Sequence, residues 1–128
     1  MRENMGVYRG KTEDGKWVRG WFLPNNFIVT SYIFDGNEEL SVETAYPVVP
    51  ETVGQWTGLT DERGEQIFEG DIVKEVCLVN GNTEQGTVYF NDIHLQFLFN
   101  DYSSLLKCSV YEREVIGNIH DNPELRKE

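Results

Sequence analysis

The sequence predicts a mainly β protein with little helix, and three observations support this prediction. Turn-forming Gly, Asn and Asp residues recur at short intervals along the 128-residue chain, and tight hairpins need such residues because they adopt positive φ at low cost. The runs between these turns are short and rich in Val, Ile, Thr and aromatic residues, which favour strands. Few helical periods interrupt them, as is typical of a small β-sandwich or barrel.

The first part of the chain, residues 5–56, is predicted to form β-hairpins. Lys16–Leu23 and Phe27–Phe34 have the composition of strands. Because Phe27–Phe34 is apolar on both faces, we expect a strand that is covered on two sides or buried in a homo-oligomer. Pro47 and Pro50 are expected to interrupt any central strand, since proline cannot donate a ladder hydrogen bond. The chain should therefore pass there from one part of the architecture to the other.

The second part, residues 57–126, is predicted to form a small SH3-like β-barrel, packed with the first part as a single domain over residues 5–126. Its predicted strands are Glu65–Phe68, Ile72–Val79, Gly86–Phe90, Ile93–Phe99 and Glu114–Ile119. Tyr102–Tyr111 is expected to form a loop followed by a strand. Asn122-Pro123 is typical of a helix start, so a short terminal helix is expected.

A carboxylate-rich stretch, TGLTDERGEQIFEGDIVK at Thr57–Lys74, raises the question of a calcium loop. An EF-hand that began at Asp61 would need an oxygen ligand at its third position and Gly at its sixth. The sequence has Arg63 and Gln66 there, so the pattern fails. We interpret the stretch as a turn, with Gly64 in the left-handed position, that leads into a short strand.

Charge limits the classes of partner. The net charge is −11, and residues 54–128 carry fourteen acidic and six basic side chains against eight and five in residues 1–53. Nucleic-acid binding depends on Lys and Arg, so it is not expected as the main role. The N-terminus has no signal-peptide pattern, no apolar run approaches a membrane span, and two cysteines are too few for a disulfide framework. These features favour a location in the cytoplasm.

No chemical motif stands out. The glycine-rich GNTEQGT lacks the lysine of a phosphate loop. The residues of the types that commonly bind zinc, Cys and His, are scattered along the sequence and do not form close pairs. They are Cys77, His94, Cys108 and His120. We therefore predict no catalytic, cofactor-binding or metal-ligating residue and no enzymatic activity. A site of unfamiliar type around Asp71, Glu75 and His94 is a less favoured alternative.

Aromatic and basic side chains are interleaved near the N-terminus, in the one stretch of the sequence where basic residues cluster. Interleaved rings and cations are typical of proteins that bind single-stranded nucleic acid, although Trp on a strand more often fills a core or an interface. The candidate contacts for nucleic acid or another partner are Arg9, Lys11, Lys16, Trp17, Arg19 and Trp21.

Three stretches carry a family resemblance: YRGKTEDGKWVRGWF at Tyr8–Phe22, PETVGQWTGLTDERGEQIFEGDIVK at Pro50–Lys74 and EVIGNIHDNPEL at Glu114–Leu125. In this order they resemble the YopX family of phage and prophage proteins. The resemblance implies a predominantly β fold and a phage or prophage origin, and it carries no catalytic residue or activity.

The sequence thus leads to an expectation about function. We expect a phage or prophage accessory protein that acts in the cytoplasm of a bacterial host, most simply as a non-enzymatic module that binds a host or phage protein. The alternative is a module associated with single-stranded nucleic acid through the aromatic and basic N-terminal strands. A homo-oligomer formed through the N-terminal strands is a further expectation, and no membrane or cofactor is expected.

Overall fold

In the computed structural model, the fold is described for residues 8–34, 36, 40–91, 96–99, 103–104 and 111–125. The chain divides into two compact units, residues 1–56 and 57–128, called here the N-terminal and C-terminal units. The long strand β5 (Val49–Thr60) contributes its first part to one unit and its last residues to the other. The expectation that both parts form one domain stays a prediction.

The N-terminal unit is an antiparallel sheet with the strand order β4-β3-β2-β1-β5. Its strands are β1 (Tyr8–Lys11), β2 (Trp17–Leu23), β3 (Phe27–Phe34), β4 (Leu40–Pro47) and the first part of β5. Strand β3 has the predicted bounds, and β2 begins one residue later than predicted. The pairs β1–β2, β2–β3 and β3–β4 are antiparallel and consecutive in the sequence, as the turn residues between them indicate.

Small residues allow this sheet to pack closely. A Cβ atom on Gly20 would lie 1.8 Å from the carbonyl oxygen of Val29, so only glycine fits there. A Cβ on Gly10 would lie 3.0 Å from Ile28 Cδ1 and 3.1 Å from Val48. Because Ile28 and Val29 are adjacent on β3 and both are buried, the strand is covered on two sides at this point, within the described chain.

Only Pro47 ends a strand, so the expectation that both prolines interrupt strands was wrong for Pro50. Pro47 ends β4, a strand at the edge of the sheet. Pro50 lies in a bulge of β5, where four residues of β5 stand opposite one residue of β1. Edge positions and bulges are the places where a sheet accepts proline. Within the bulge, the Thr52 hydroxyl accepts a hydrogen bond from the Lys11 N–H at 2.8 Å.

The C-terminal unit contains a five-stranded antiparallel sheet with the order β10-β9-β8-β7-β11, and β6 pairs with β5. The bounds are β6 (Gln66–Phe68), β7 (Asp71–Cys77), β8 (Thr83–Asn91), β9 (Gln96–Phe99), β10 (Ser103–Ser104) and β11 (Tyr111–Asn118). Its buried apolar cluster consists of Ile67, Val73 and Val88, with Leu59 and Val115 packed against it. The helix expected at the end of the chain is a single 3₁₀ turn, Pro123–Leu125.

The predicted mainly β fold is confirmed. The predicted SH3-like barrel is not confirmed, because the described strands form two sheets and no closed barrel is found among them. The first residues of the strand predicted at Ile93–Phe99, and the loop at 105–110, lie outside the described residues. Within the described part of the chain, no helix is long and apolar enough to cross a membrane.

Candidate functional site

Five of the six predicted contact residues share one face of the N-terminal sheet. Arg9 stands opposite Arg19 in the β1–β2 pair, and Lys11 stands opposite Trp17. Directly opposed residues of antiparallel strands project to the same face, and so does a residue two positions along, which adds Trp21. We call these residues, Arg9, Lys11, Trp17, Arg19 and Trp21, the β1–β2 face. The sixth predicted residue, Lys16, is exposed just before β2.

Two cations already contact the ring of Trp17. The Arg9 guanidinium carbon lies 4.9 Å from the centroid of the ring, and Lys11 Nζ lies 5.7 Å from it. Both distances are within the range of a cation–π interaction, worth about 0.5–2 kcal/mol each. Arg9 is buried and Trp17 is half-buried, so this end of the face is engaged in holding β1 against β2.

The opposite end of the face is exposed and apolar. Trp21, Leu23 and Phe27 have 41%, 38% and 37% of their surface exposed. Leu23 stands opposite Phe27, and Phe27 stands opposite the exposed Pro47 on β4. Since opposed side chains share a face, Trp21, Leu23, Phe27 and Pro47 form one patch, called here the apolar patch. Arg19 precedes it on β2 and is also exposed.

Three of the strands that build this surface, β1, β2 and β3, carry no acidic residue. The sequences of β1, β2 and β3 are YRGK, WVRGWFL and FIVTSYIF. Two neighbouring carboxylates are held by hydroxyl groups: Asp14, in the β1–β2 turn, accepts a hydrogen bond from Thr12, and Glu43, on β4, accepts one from Ser31 Oγ at 3.0 Å. The hydrogen bond from Thr12 also holds the pKa of Asp14 below its usual value.

Lys16 does not belong to the β1–β2 face but lines a depression that it shares with Trp17. A cavity of about 370 Å³ is lined by residues of the β1–β2 turn, β2, β3 and β4, including Lys16, Trp17 and Tyr46. Its lining mixes two aromatic residues with hydroxyl and charged groups. The structure therefore brings five of the predicted residues together on one face and places the sixth at the rim of this cavity.

The carboxylate-rich stretch of the C-terminal unit is a turn, as the sequence predicts, and Asp61 organises it. Asp61 Oδ1 accepts hydrogen bonds from the N–H groups of Arg63 and Glu65, both at 2.9 Å. Asp61 Oδ2 accepts one from Val115 at 3.1 Å. Burial raises the pKa of Asp61, but the three backbone donors and the charge of Arg63 outweigh it, so the net pKa is lowered.

The same turn fastens β11. Besides the bond to Asp61, the Arg113 carbonyl accepts the Glu62 N–H at 3.1 Å, and the Val115 carbonyl accepts a hydrogen bond from Arg63 Nη2 at 3.4 Å. The turn therefore takes the place of a neighbouring strand along part of β11. The carboxyl groups of Glu62 and Glu112 are hydrogen-bonded to each other, and this contact, with the nearby negative charges, raises the pKa of Glu62.

The acidic residues of the less favoured enzyme site have structural contacts. Asp71 is buried, and its Oδ2 accepts the Phe68 N–H at 2.7 Å. Glu75 Oε2 lies 2.9 Å from Arg113 Nε in an ion pair with 8% and 12% of the two side chains exposed. The third member, His94, lies outside the described residues. Among the residues that the structure does describe, no three His, Cys, Asp or Glu side chains converge as metal ligands, and Cys77 is a half-buried free thiol.

The sequence profile of the family described as "YopX protein" matches residues 8–127, nearly the whole chain. The chain belongs to the YopX family. The resemblance carried by the three sequence stretches is thereby confirmed.

A solved structure supports the fold of this YopX-family chain. The crystal structure of protein EF1440 from Enterococcus faecalis is similar, with a TM-score of 0.62 and 25% sequence identity. The match covers 94% of this chain and 97% of that one. No curated protein sequence matches the chain.

Some surface residues of the YopX-family chain were not predicted. The sequence indicates Trp21 as a surface residue but does not indicate Leu23, Phe27 and Pro47, which complete the apolar patch. Alternation along β2 carries a signal for Leu23, since residues two apart share a face. Phe27 and Pro47 depend on strand pairing across β3 and β4, and β4 was not predicted.

Proposed function

We propose that this YopX-family protein is a phage or prophage accessory protein that acts in the cytoplasm of a bacterial host as a non-enzymatic module that binds another protein. The observation that carries the proposal is the apolar patch. Three large apolar side chains, Trp21, Leu23 and Phe27, lie side by side and exposed on one sheet face. Contiguous exposed apolar groups of this kind mark interaction sites.

The composition around the patch also supports a protein partner. Trp and Arg are enriched at protein interfaces and among the residues that dominate their binding energy, and Arg19 adjoins Trp21 on this face. The absence of catalytic function is part of the proposal, and it is supported by the engagement of Asp71 and Glu75 in structural contacts. The phage assignment and the cytoplasmic location rest on the family resemblance and the sequence composition.

The test is a comparative capture from bacterial lysate. Immobilised wild-type protein and the variant Trp21→Ala are compared after nuclease treatment, and retained proteins are quantified by mass spectrometry. The matched control is Val79→Ala, which removes an exposed apolar side chain from the C-terminal unit. We expect a protein that wild type and Val79→Ala retain and Trp21→Ala loses. Equal retention by all three would exclude the apolar patch as the docking surface.

A second candidate function is association with single-stranded nucleic acid, favoured by the shared face of Arg9, Lys11, Trp17, Arg19 and Trp21. Stacking of bases on exposed indoles would quench Trp fluorescence, and the binding would weaken with salt. The contacts of Arg9 and Lys11 with Trp17 leave less of that ring for a base, which is why we place this function second. A titration with oligothymidylate at low salt that produces no quenching removes it.

We also propose homo-oligomerisation through the N-terminal strands, although fewer residues of β3 need covering than the sequence suggests. Ile28 and Val29 are buried within the described chain, so they need no second copy to cover them. Ile33, farther along β3, is 51% exposed and remains a contact that a second copy could cover. Light scattering gives the mass directly, and a monomeric mass across the working concentration range would count against an oligomer.

A further inference from the structure

We infer that the C-terminal unit carries a second docking site, a groove beside the start of β11 that takes an extended segment of a partner protein in which apolar and basic side chains alternate. The inference goes beyond the proposed function, because the apolar patch belongs to the N-terminal unit and this groove to the C-terminal one. Its experiment therefore stands apart from the test of the patch.

The groove lies along an edge of the C-terminal sheet. Strand β11 is the last strand in the order β10-β9-β8-β7-β11, and the turn at Asp61 bonds to its outer edge at Arg113 and Val115. Before these residues, the edge borders a cavity of about 490 Å³, which is within the usual range of ligand pockets, roughly 300–1,000 Å³. The lining comes from the end of β5, the turn, β6 and the start of β11, and includes Leu59, Glu62, Ile67, Tyr111, Glu112 and Arg113.

The backbone at the start of β11 is oriented for strand addition. Cys77 stands opposite Tyr111. The Cys77 N–H donates to the Asn82 carbonyl, and its carbonyl accepts the Gly81 N–H, both at 2.8 Å, so both groups point away from β11. Opposed residues of antiparallel strands either bond to each other or both point away, so the N–H and carbonyl of Tyr111 point away from β7. An extended segment adds to such an edge through main-chain hydrogen bonds.

One face of an added strand would meet apolar surface. Val115 and Leu59 pack against the buried apolar cluster, and Tyr111 lies on the same face of β11 as Val115, because residues an even number of positions apart share a face. Leu59 also lines the groove. Since Tyr111 is 40% exposed, apolar surface is left here for a partner to cover.

The other face, called here the outer face of β11, is acidic. Glu112 lies on it, and its carboxyl is hydrogen-bonded to that of Glu62. This contact and the surrounding negative charges raise the pKa of Glu62, so the two groups oppose each other when both are ionised. A Lys or Arg side chain at this point would replace that repulsion with charge-assisted hydrogen bonds.

The cations of the described part of this unit are engaged elsewhere. Two of them form ion pairs with other carboxylates, Arg63 with Glu114 and Arg113 with Glu75. The third, Lys74, stands opposite Glu114 and not opposite Glu112. Residues 54–128 as a whole carry fourteen acidic and six basic side chains. Charge complementarity therefore favours a basic occupant and disfavours an acidic one.

Other ligands use less of this site. Among the described residues, no three His, Cys, Asp or Glu side chains converge as metal ligands, and a metal ion would use neither the backbone of Tyr111 nor the apolar wall. Nucleic acid is repelled by the carboxylates. A basic extended segment uses the edge, the apolar wall and the carboxyl pair together, with the alternation of side chains that a strand imposes.

The test selects segments without assuming their sequence. A library of random peptides is displayed and selected on the full-length wild-type chain, with the double variant Glu62→Gln/Glu112→Gln as the counter-selection, since Gln keeps the size of each side chain and removes its charge. We expect enriched peptides in which Lys or Arg alternates with Val, Ile or aromatic residues. A labelled synthetic peptide of this kind should bind the double variant about tenfold more weakly in fluorescence anisotropy.

A matched control separates the carboxyl pair from net charge. The variant Glu65→Gln/Glu124→Gln removes two exposed carboxylates from the same unit outside the groove, and it should bind the peptide like wild type. Equal weakening by the two double variants would overturn the inference, because the peptide would then respond to the charge of the whole unit.

Strand addition is tested on the peptide itself. Two versions are N-methylated at alternate residues, one at the odd and one at the even positions. Because only one edge of an added strand bonds to β11, we expect one version to lose binding and the other to keep it. If both versions bind like the unmodified peptide, main-chain pairing is absent and the inference fails.

The remaining outcomes identify other occupants. Selection that yields only acidic or uncharged peptides, or none that depends on Glu62 and Glu112, would overturn the inference. Displacement of the peptide by Mg²⁺ or Ca²⁺ at constant ionic strength would assign the carboxyl pair to a metal ion. Displacement by an excess of the unlabelled Glu62→Gln/Glu112→Gln chain would assign the groove to a second copy. Either displacement would overturn the choice of a partner protein.

The variant Trp21→Ala keeps this inference distinct from the proposed function. It should bind the basic peptide like wild type, because it leaves the groove intact. Loss of peptide binding in Trp21→Ala would place the peptide on the apolar patch and remove the second site. Failure of the selection at the groove, by contrast, leaves the capture experiment on the apolar patch unaffected.

Discussion

Replacing Asp61 with alanine tests the main structural contact of the C-terminal unit. Asp61 is 6% exposed, and its carboxylate accepts hydrogen bonds from three backbone N–H groups, those of Arg63, Glu65 and Val115. The Asp61→Ala variant keeps the backbone bonds that the residue makes, such as its N–H to the Glu65 carbonyl at 2.8 Å. The change therefore isolates what the side chain contributes.

The magnitude follows from the fate of the three donors. Arg63 and Glu65 are exposed, so water can replace the carboxylate at their N–H groups and each loss is small. The N–H of Val115 belongs to a half-buried strand residue, and a buried donor left without an acceptor costs about 1–3 kcal/mol. With the loss of charge-assisted bonds at the two exposed donors, we expect Asp61→Ala to destabilise the unit by about 2–4 kcal/mol.

The assay is urea denaturation followed by far-ultraviolet circular dichroism. Tryptophan fluorescence is less suitable, because residues 57–128 contain no tryptophan. Hydrogen exchange at the Val115 amide, read by NMR, localises the effect and should be faster in the variant. The control Glu65→Ala removes an exposed carboxylate from the same turn and should change stability by no more than about 0.5 kcal/mol. Our reasoning is refuted if Asp61→Ala is as stable as this control.

Three further predictions concern packing and charge. Gly20→Ala should lower the free energy of unfolding by about 3 kcal/mol or more, because its Cβ would overlap the Val29 carbonyl oxygen. Gly15→Ala, at φ 89° in open space, should lower it by only about 1 kcal/mol. Both values are read from denaturation experiments. Arg113→Met leaves the buried Glu75 carboxylate without its cation and should cost about 3 kcal/mol, with recovery in the double variant Arg113→Met/Glu75→Leu. Glu62→Gln should gain stability over wild type as the pH rises through the raised pKa of Glu62, because the carboxylate destabilises the fold only when ionised. The first prediction is contradicted if the two glycine variants are equally stable, and the second if the double variant shows no recovery. The third is contradicted if the stability difference between Glu62→Gln and wild type does not depend on pH.

The elements that could be predicted from the sequence are those with local signals. Strand β3 lies between strong turn residues and carries apolar side chains on both faces, so its two ends can be predicted from the sequence. Strand β4, LSVETAYP, has weaker alternation and ends in proline, and strand β5 contains a proline that only a bulge can accommodate. Pairing between strands, and not the local sequence, makes these segments extended. The barrel was inferred from strand spacing, which cannot distinguish an open sheet from a closed one.

The candidate surface could likewise be predicted only in part from the sequence. Clustering of Arg9, Lys11, Trp17, Arg19 and Trp21 was visible as a composition, and alternation would place most of them on one face. What the sequence could not give is the division of that face into two ends. The contacts of two cations with Trp17 and the exposure of Trp21 depend on register across β1, β2 and β3 and on which side chains become buried.

The pair Asp61 and Glu62 shows why a run of carboxylates has no single meaning. The two residues are adjacent in the sequence, yet the pKa of Asp61 is lowered and that of Glu62 is raised. Asp61 faces backbone donors, so its charge stabilises the fold above its ordinary pKa of 3.8, and this stability is lost as the pH falls through the lower folded value. Glu62 faces another carboxyl, so its contribution has the opposite sign. The advantage of wild type over Asp61→Asn in free energy of unfolding should therefore shrink in acid. The difference in free energy of unfolding between wild type and Glu62→Gln should instead become more favourable to wild type there. Stability curves of the two variants that shifted in the same direction with pH would show that the turn is governed by net charge and not by these two contacts.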